Sequence, residues 1–305
     1  MSTITTPSTT VERTQRLRAA KPSFFGLVGG ELFKIRHQWA TWIMLIVLVG
    51  IMFLPYLVGL FVPSIPDSLA NHPLEFLTRW ASVNLGLFRA VSGILLLILT
   101  ARVIGLEYNL GTIRILLSRG VGRVQLLLAK LTAIAACALI TLLLGLALNV
   151  LLHIGMVGIR AGNLTAFNAL DSTYWHDVGI YVLTILLNMG VTILVATGFT
   201  VLGRSLAFGM TFSVAWFPVD NILVRILALV FTLTTNTFWQ NVSAYLLGPN
   251  LNVMAAMTTG NANSNFGAPP LVSVDGTHTV VVALVYAAIF AVGAFWLTWK
   301  RDVQE

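Results

Sequence analysis

Apolar residues gather into five uninterrupted runs, each about as long as a membrane-crossing helix, and a sixth broken by charge. The runs lie roughly at 41–62, 86–106, 124–152, 179–201, 206–233 and 279–299. A helix rises about 1.5 Å per residue, so each run can cross an oily layer about 30 Å thick. Only helices and closed barrels satisfy every backbone group in hydrocarbon. The pattern predicts an all-α polytopic membrane protein with six transmembrane helices, one domain over 24–305.

The segments between the runs differ in kind. In Phe24–Trp39 the apolar residues Phe25, Val28, Leu32, Ile35 and Trp39 recur every three to four positions, while Glu31, Lys34, Arg36 and His37 fall mostly elsewhere. This spacing predicts an N-terminal amphipathic helix lying in the interface ahead of span one, with an ordinary basic flank as the alternative. Residues 63–85 and 153–178 read as outer loops. Residues 234–278 form the longest connection. Its first half, Phe238 to Met257, is too polar to span and too apolar for a free loop, which predicts a re-entrant or interfacial helical hairpin broken at Gly248-Pro249. Its second half, from Thr258 to His278, is a Gly/Asn/Ser/Pro loop.

Composition supports this reading. Hydrophobic residues make up 57% and charged residues 10%, against about 25% charged in soluble domains. The net charge of +7 is unevenly placed. Of the 18 Lys and Arg, 14 lie before span one, around the second and fourth connections, or after span six, and none lies between Thr234 and His278. The positive-inside rule then puts both termini in the cytoplasm, with the chain in the cytoplasmic membrane. The same asymmetry accounts for the basicity without a nucleic-acid partner. No cleavable signal peptide is expected, because the first apolar run begins near residue 40 and is too long for one. Residues 1–23, Ser/Thr-rich and then basic, read as a disordered cytoplasmic tail. Cys137 lies inside an apolar run and reads as a core residue; a lone cysteine excludes an internal disulfide and a cysteine-based metal cluster.

Catalytic signatures are missing. No GxxxxGK[ST] is present to cradle nucleotide phosphates, no HxxxH or HExxH sets two histidines on one helix face, and no GxSxG occurs. The chain is not expected to be an enzyme, nor to hold a metal or cofactor. Inside the runs, charge concentrates in span five, where Asp220, Asn221 and Arg225 follow Trp216, Phe217 and Pro218. Two charges at mid-membrane cost about 2.5–3.5 kcal/mol each on the insertion scale unless paired, hydrated or interfacial. The cluster reads either as the outer part of a substrate path, with Pro218 kinking the helix, or as a structural pair or interfacial patch. Arg89, near the outer end of span two, can snorkel but reads rather as a structural residue, and Asn149 and Asn188 read as interhelical hydrogen-bond contacts.

The connection between spans two and three carries the most detail. It runs Glu107-Tyr108-Asn109-Leu110-Gly111-Thr112-Ile113-Arg114-Ile115-Leu116-Leu117-Ser118-Arg119-Gly120-Val121-Gly122-Arg123 and ends at Lys130. Glycines punctuate a strongly basic stretch that holds an apolar pair. A mere reconnection of two helices needs none of this. The segment reads as a rigid cytoplasmic bracket shaped to be gripped by another protein.

These residues resemble the signature of type-two ABC exporter permeases. That signature has an acidic residue (Glu107), a Gly-Thr pair (Gly111, Thr112), a leucine pair (Leu116, Leu117) and a Ser-Arg-x-x-x-Arg stretch (Ser118, Arg119, Arg123) leading into span three with a lysine. The family usually carries proline near Gly120 or Val121, which this chain lacks. Glu31-Leu32-Phe33-Lys34 resembles the family's entry helix. The resemblance implies a permease dimer, homo- or heteromeric, with each half bound to a cytoplasmic ABC ATPase subunit that holds the ATP and Mg. The segment at 107–123 would be the coupling helix, with Arg114, Arg119 and Arg123 pairing with carboxylates and Leu116 or Leu117 anchoring in a pocket. The entry helix, with Glu31 and Lys34, would be a second contact. Spans two and five would line the path of an amphipathic cargo (a drug, antibiotic, peptide or lipid), with Phe212, Trp216 and Asn221 along it beside Asp220 and Arg225. Two other readings stay open from the sequence: a secondary carrier or scaffold with no ATPase partner, and a membrane-embedded lipid-modifying enzyme.

Overall fold

The computed structural model describes residues 23–118, 120–259 and 267–300, without the side chain of Arg114. The expected tail at 1–22, Arg119 and part of the last outer loop lie outside them. The described residues are nearly all helical and contain no strand. In chain order the helices are α1 (Phe24–Arg36), α2 (Trp39–Gly59), α3 (Ile65–Asn71), α4 (Pro73–Asn109), α5 (Thr112–Ser118), α6 (Arg123–Ala161), α7 (Ser172–Gly203), α8 (Leu206–Thr234), α9 (Phe238–Ser243), α10 (Leu247–Thr259) and α11 (Gly276–Lys300), with a 3-10 turn at Thr165–Ala169. Six of them, α2, α4, α6, α7, α8 and α11, are long and apolar enough to cross a membrane. The chain is a multi-pass helical membrane protein.

Two spans form the centre. The apolar stretch of α4 is 61% buried and that of α7 50%, against 17–28% in the other four. The outer spans turn apolar side chains away from the chain, among them Ile46 and Val58 of α2, Ile222 and Leu229 of α8, and Ile289 and Val292 of α11. Surface of this kind is stable only in hydrocarbon or against a further apolar partner. Helix association in lipid relies on close van der Waals packing, and small residues permit it here. At Gly105 of α4 an added Cβ would lie 2.6 Å from the Cα of Leu206, so the two backbones touch.

Several expected boundaries move. Residues 63–85 and 153–178 are not loops: α4 begins at Pro73, α6 continues to Ala161 and α7 starts at Ser172. Proline at the first helical position forgoes only an N–H that has no intrahelical acceptor, and Glu75 follows in the same first turn. Asp171 caps α7, its Oδ1 accepting from the Tyr174 N–H at 2.8 Å. The break expected at Gly248-Pro249 falls instead at Ala244–Leu246, and Gly248 and Pro249 form the first turn of α10. Pro218 lies inside α8, which continues past it to Thr234.

The stripe expected on α1 also shifts. Its buried residues are Val28, Glu31 and Ile35, while Phe25 and Trp39 are exposed. Glu31 faces inward because its charge partners lie there.

Candidate functional site

Four charged side chains meet where α1, α4 and α6 converge. Lys130 of α6 is 3% exposed and donates from Nζ to Glu31 Oε2 at 3.0 Å and to the Val103 carbonyl at 3.0 Å. The same Nζ lies 2.9 Å from Glu107 Oε1. An ammonium has three protons, so these three acceptors satisfy it. Lys34 bridges the same two carboxylates, 2.8 Å from Glu31 Oε1 and 2.9 Å from Glu107 Oε1. Two ammonium groups thus face two carboxylates, and the set is neutral.

Burial by itself would lower the Lys34 pKa, but hydrogen bonds to Glu31 and Glu107 and the attraction of both carboxylates outweigh it and hold the value above 10.5. Glu107 Oε2 is buried and accepts no hydrogen bond. A buried pair that loses one partner leaves an uncompensated charge, so the loss of any one of the buried members is costly.

Glu107 sits in the last turn of α4, directly before the bracket. Gly111 at φ +66° and Gly120 at φ +84° bound α5, in a region where side chains other than glycine are strained. Between them α5 exposes Ile115, and Leu110 just before it is 70% exposed. Leu116 and Leu117 are half-buried rather than projecting. Ser118 is exposed and its hydroxyl donates to the Ile115 carbonyl. Thr112 and Arg123 are half-buried, and Gly111 is exposed. The α7–α8 turn closes onto this end, with the Leu206 N–H donating to Asn109 Oδ1 at 3.1 Å. The residues expected to face a partner therefore divide. Glu31 and Glu107 point into the chain, Lys34 is half-exposed, and Arg119 and the Arg114 side chain lie outside the described residues.

The match to a known family covers both Glu107 and Lys130. Residues 42–304 fit the model of the family described as Protein of unknown function (DUF2705). The chain belongs to that family. No curated protein and no solved structure matches it. The matched range of this DUF2705 chain begins inside α2, so α1, with Glu31 and Lys34, precedes it.

At the opposite end the residues proposed for a path do not converge. Asp220 is buried, its Oδ2 accepting from the Gly248 N–H at 2.8 Å. Asn221 Oδ1 accepts from Asn252 Nδ2 and from the Ala268 N–H, each at 3.0 Å. Both residues of α8 thus tie down the segment around α10. Trp216 packs among Phe199, Tyr286 and Phe290. Phe212 and Arg225 are exposed on the outside of α8. Asp220 and Arg225, five positions apart, point in different directions and form no pair.

Two groupings went unseen in the sequence. Arg89 does not snorkel: it is 3% exposed, and its guanidinium donates to the Leu251 and Asn252 carbonyls of α10. His153, taken for a loop residue, is buried in α6, with Nδ1 2.6 Å from the Tyr56 hydroxyl. Asn84 Nδ2 donates to that hydroxyl at 3.2 Å, joining α2, α4 and α6. The i, i+4 spacing of Asn149 and His153 on one helix face was the available signal. No group of three or more metal-ligating side chains occurs among the described residues.

Proposed function

We propose that the chain is the membrane-spanning permease subunit of an ATP-driven exporter, powered by a separate cytoplasmic ATPase. The observation that carries the reading is α5 and its footing. It is a short helix set off by two left-handed glycines, it offers Leu110 and Ile115 outward, and its base is clamped by the Glu31–Lys34–Glu107–Lys130 quartet.

In this reading the basic end faces the cytoplasm, following the distribution of Lys and Arg. Helix α1 lies in the interface, α5 is the coupling helix, and α9 with α10 caps the outer side. ATP binding and hydrolysis take place in the partner. A push on α5 passes into the last turn of α4 at Glu107. Lys130 and Lys34 share that carboxylate, so the start of α6 and the whole of α1 move with it as one body. The exposed apolar faces of α2 and α8 are available to a second permease, identical or different in sequence, and the cargo is amphipathic.

The test is to look for a P-loop ATPase in a neighbouring reading frame and to reconstitute the chain with it. The expected result is a stable complex whose ATP hydrolysis drives movement of a fluorescent amphiphile across vesicles. Turnover by the isolated chain, with no ATPase present, would overturn the reading.

A further inference from the structure

Arg89 stands in a cavity of about 280 Å³ between α4, α7, α8 and α10, lined by Asn188, Thr192, Phe217, Asn221 and Asn252 among others. Its positive charge has no counter-ion among the described residues. None of the ion pairs among the described residues includes Arg89, and residues 260–266, next to the cavity-lining Gly267, contain no Asp or Glu. A buried charge is costly unless paired.

The other side-chain donors of the lining are already engaged. Asn221 Nδ2 donates to the Phe217 carbonyl, Asn252 Nδ2 donates to Asn221 Oδ1 and the Ala268 carbonyl, and the Thr192 hydroxyl donates back to its own helix. Asn188 Nδ2 donates to the Arg89 carbonyl at 3.4 Å. A guanidinium has five N–H donors, and its acceptors among the described residues are the two α10 carbonyls. The cavity therefore holds spare donors and one uncompensated positive charge. A group that only accepts hydrogen bonds and carries negative charge answers both.

Geometry sets the rest of the ligand. The volume lies at the lower end of ligand sites, about 300–1,000 Å³, and suits a headgroup rather than a whole amphiphile. The lining residues Ile94 and Pro218 are exposed, so the cavity opens on an apolar flank between α4 and α8. We propose that this cavity binds the acidic headgroup, phosphate or carboxylate, of a molecule whose apolar body lies along that flank, with the Arg89 guanidinium as its ligand. The assignment does not depend on an ATPase partner.

The test uses the full chain in neutral detergent, with thermal unfolding followed at increasing concentrations of three probes: phosphatidylglycerol, phosphatidylcholine with the same acyl chains, and inorganic phosphate. Phosphatidylglycerol is expected to raise the unfolding midpoint and phosphatidylcholine is not. Arg89→Gln is expected to weaken the phosphatidylglycerol effect by about tenfold or more, the scale of a lost charged hydrogen bond. Because Arg89→Gln also releases two α10 carbonyls, Ile94→Trp serves as the second variant. It fills the exposed mouth without touching the guanidinium, and it should leave the unliganded midpoint in place while weakening the lipid effect. A shift with inorganic phosphate as large as with the lipid supports the anion site and assigns it a free anion. An equal shift with phosphatidylcholine, or a phosphatidylglycerol shift unchanged in Ile94→Trp, overturns the proposal.

Discussion

Lys130 Nζ and Glu107 Oε1 lie 2.9 Å apart, both side chains less than one-tenth exposed, and join the end of α4 to the start of α6 across the bracket between them. Replacing Lys130 by Met leaves Glu31 and Glu107 to share the half-exposed Lys34 alone. Breaking a buried pair in this way costs about 3–5 kcal/mol. The expected outcome is a large fall in the thermal midpoint in detergent. Lys130→Met combined with Glu107→Gln should fall less than the sum of the two single changes, because the two residues touch.

Lys34 gives a pH dependence. Its folded pKa lies above the ordinary 10.5, so its contribution is fully present below that value and is lost as pH rises through the folded pKa. The midpoint difference between the natural chain and Lys34→Met should stay constant through neutral pH and shrink in strong alkali. A difference that grew with alkalinity would contradict the bonding described.

Ile115→Asp tests the bracket. Ile115 is 55% exposed, so the change should leave the fold within about 0.5 kcal/mol of the natural chain. Association with the proposed ATPase should fall sharply, read by co-purification and by coupled ATP hydrolysis. Unchanged coupling would remove α5 from the partner interface.

Gly105→Leu tests the contact between α4 and α8. A Cβ there meets backbone rather than a flexible side chain, so the helices must separate. The expected cost is about 1–3 kcal/mol or more, with Gly105→Ala intermediate, measured by thermal unfolding.

Tyr56→Phe removes the hydroxyl that meets His153 Nδ1 and accepts from Asn84. Asn84 then loses its described acceptor, and the expected loss is about 1–3 kcal/mol in the same assay.

The six spans were legible because an apolar run of sufficient length admits few other structures. The turns between spans two and three were legible too, since Gly111 and Gly120 announce the points that set α5 off. The helix extensions were not: Glu75 and Arg79 look like loop polarity, yet they ride on α4, which begins well before the apolar run. The inward turn of Glu31 was hidden because its partner, Lys130, is distant in sequence and α1 by itself shows only an ordinary amphipathic pattern. The partners of Arg89 were hidden for the same reason, since its acceptors lie at Leu251 and Asn252. Burial of charge follows from tertiary neighbours, which periodicity along one helix does not reveal.

Helix α10 has an implication for assembly order. Its carbonyls receive Arg89, its Gly248 N–H satisfies Asp220, and its Asn252 meets Asn221. All three of those residues precede α10 in the chain. Until α10 is in place, the Arg89 guanidinium and the Asp220 carboxylate lack the α10 groups that meet them here. A chain cut short of residue 247 therefore leaves this end of the bundle without the segment that ties it together.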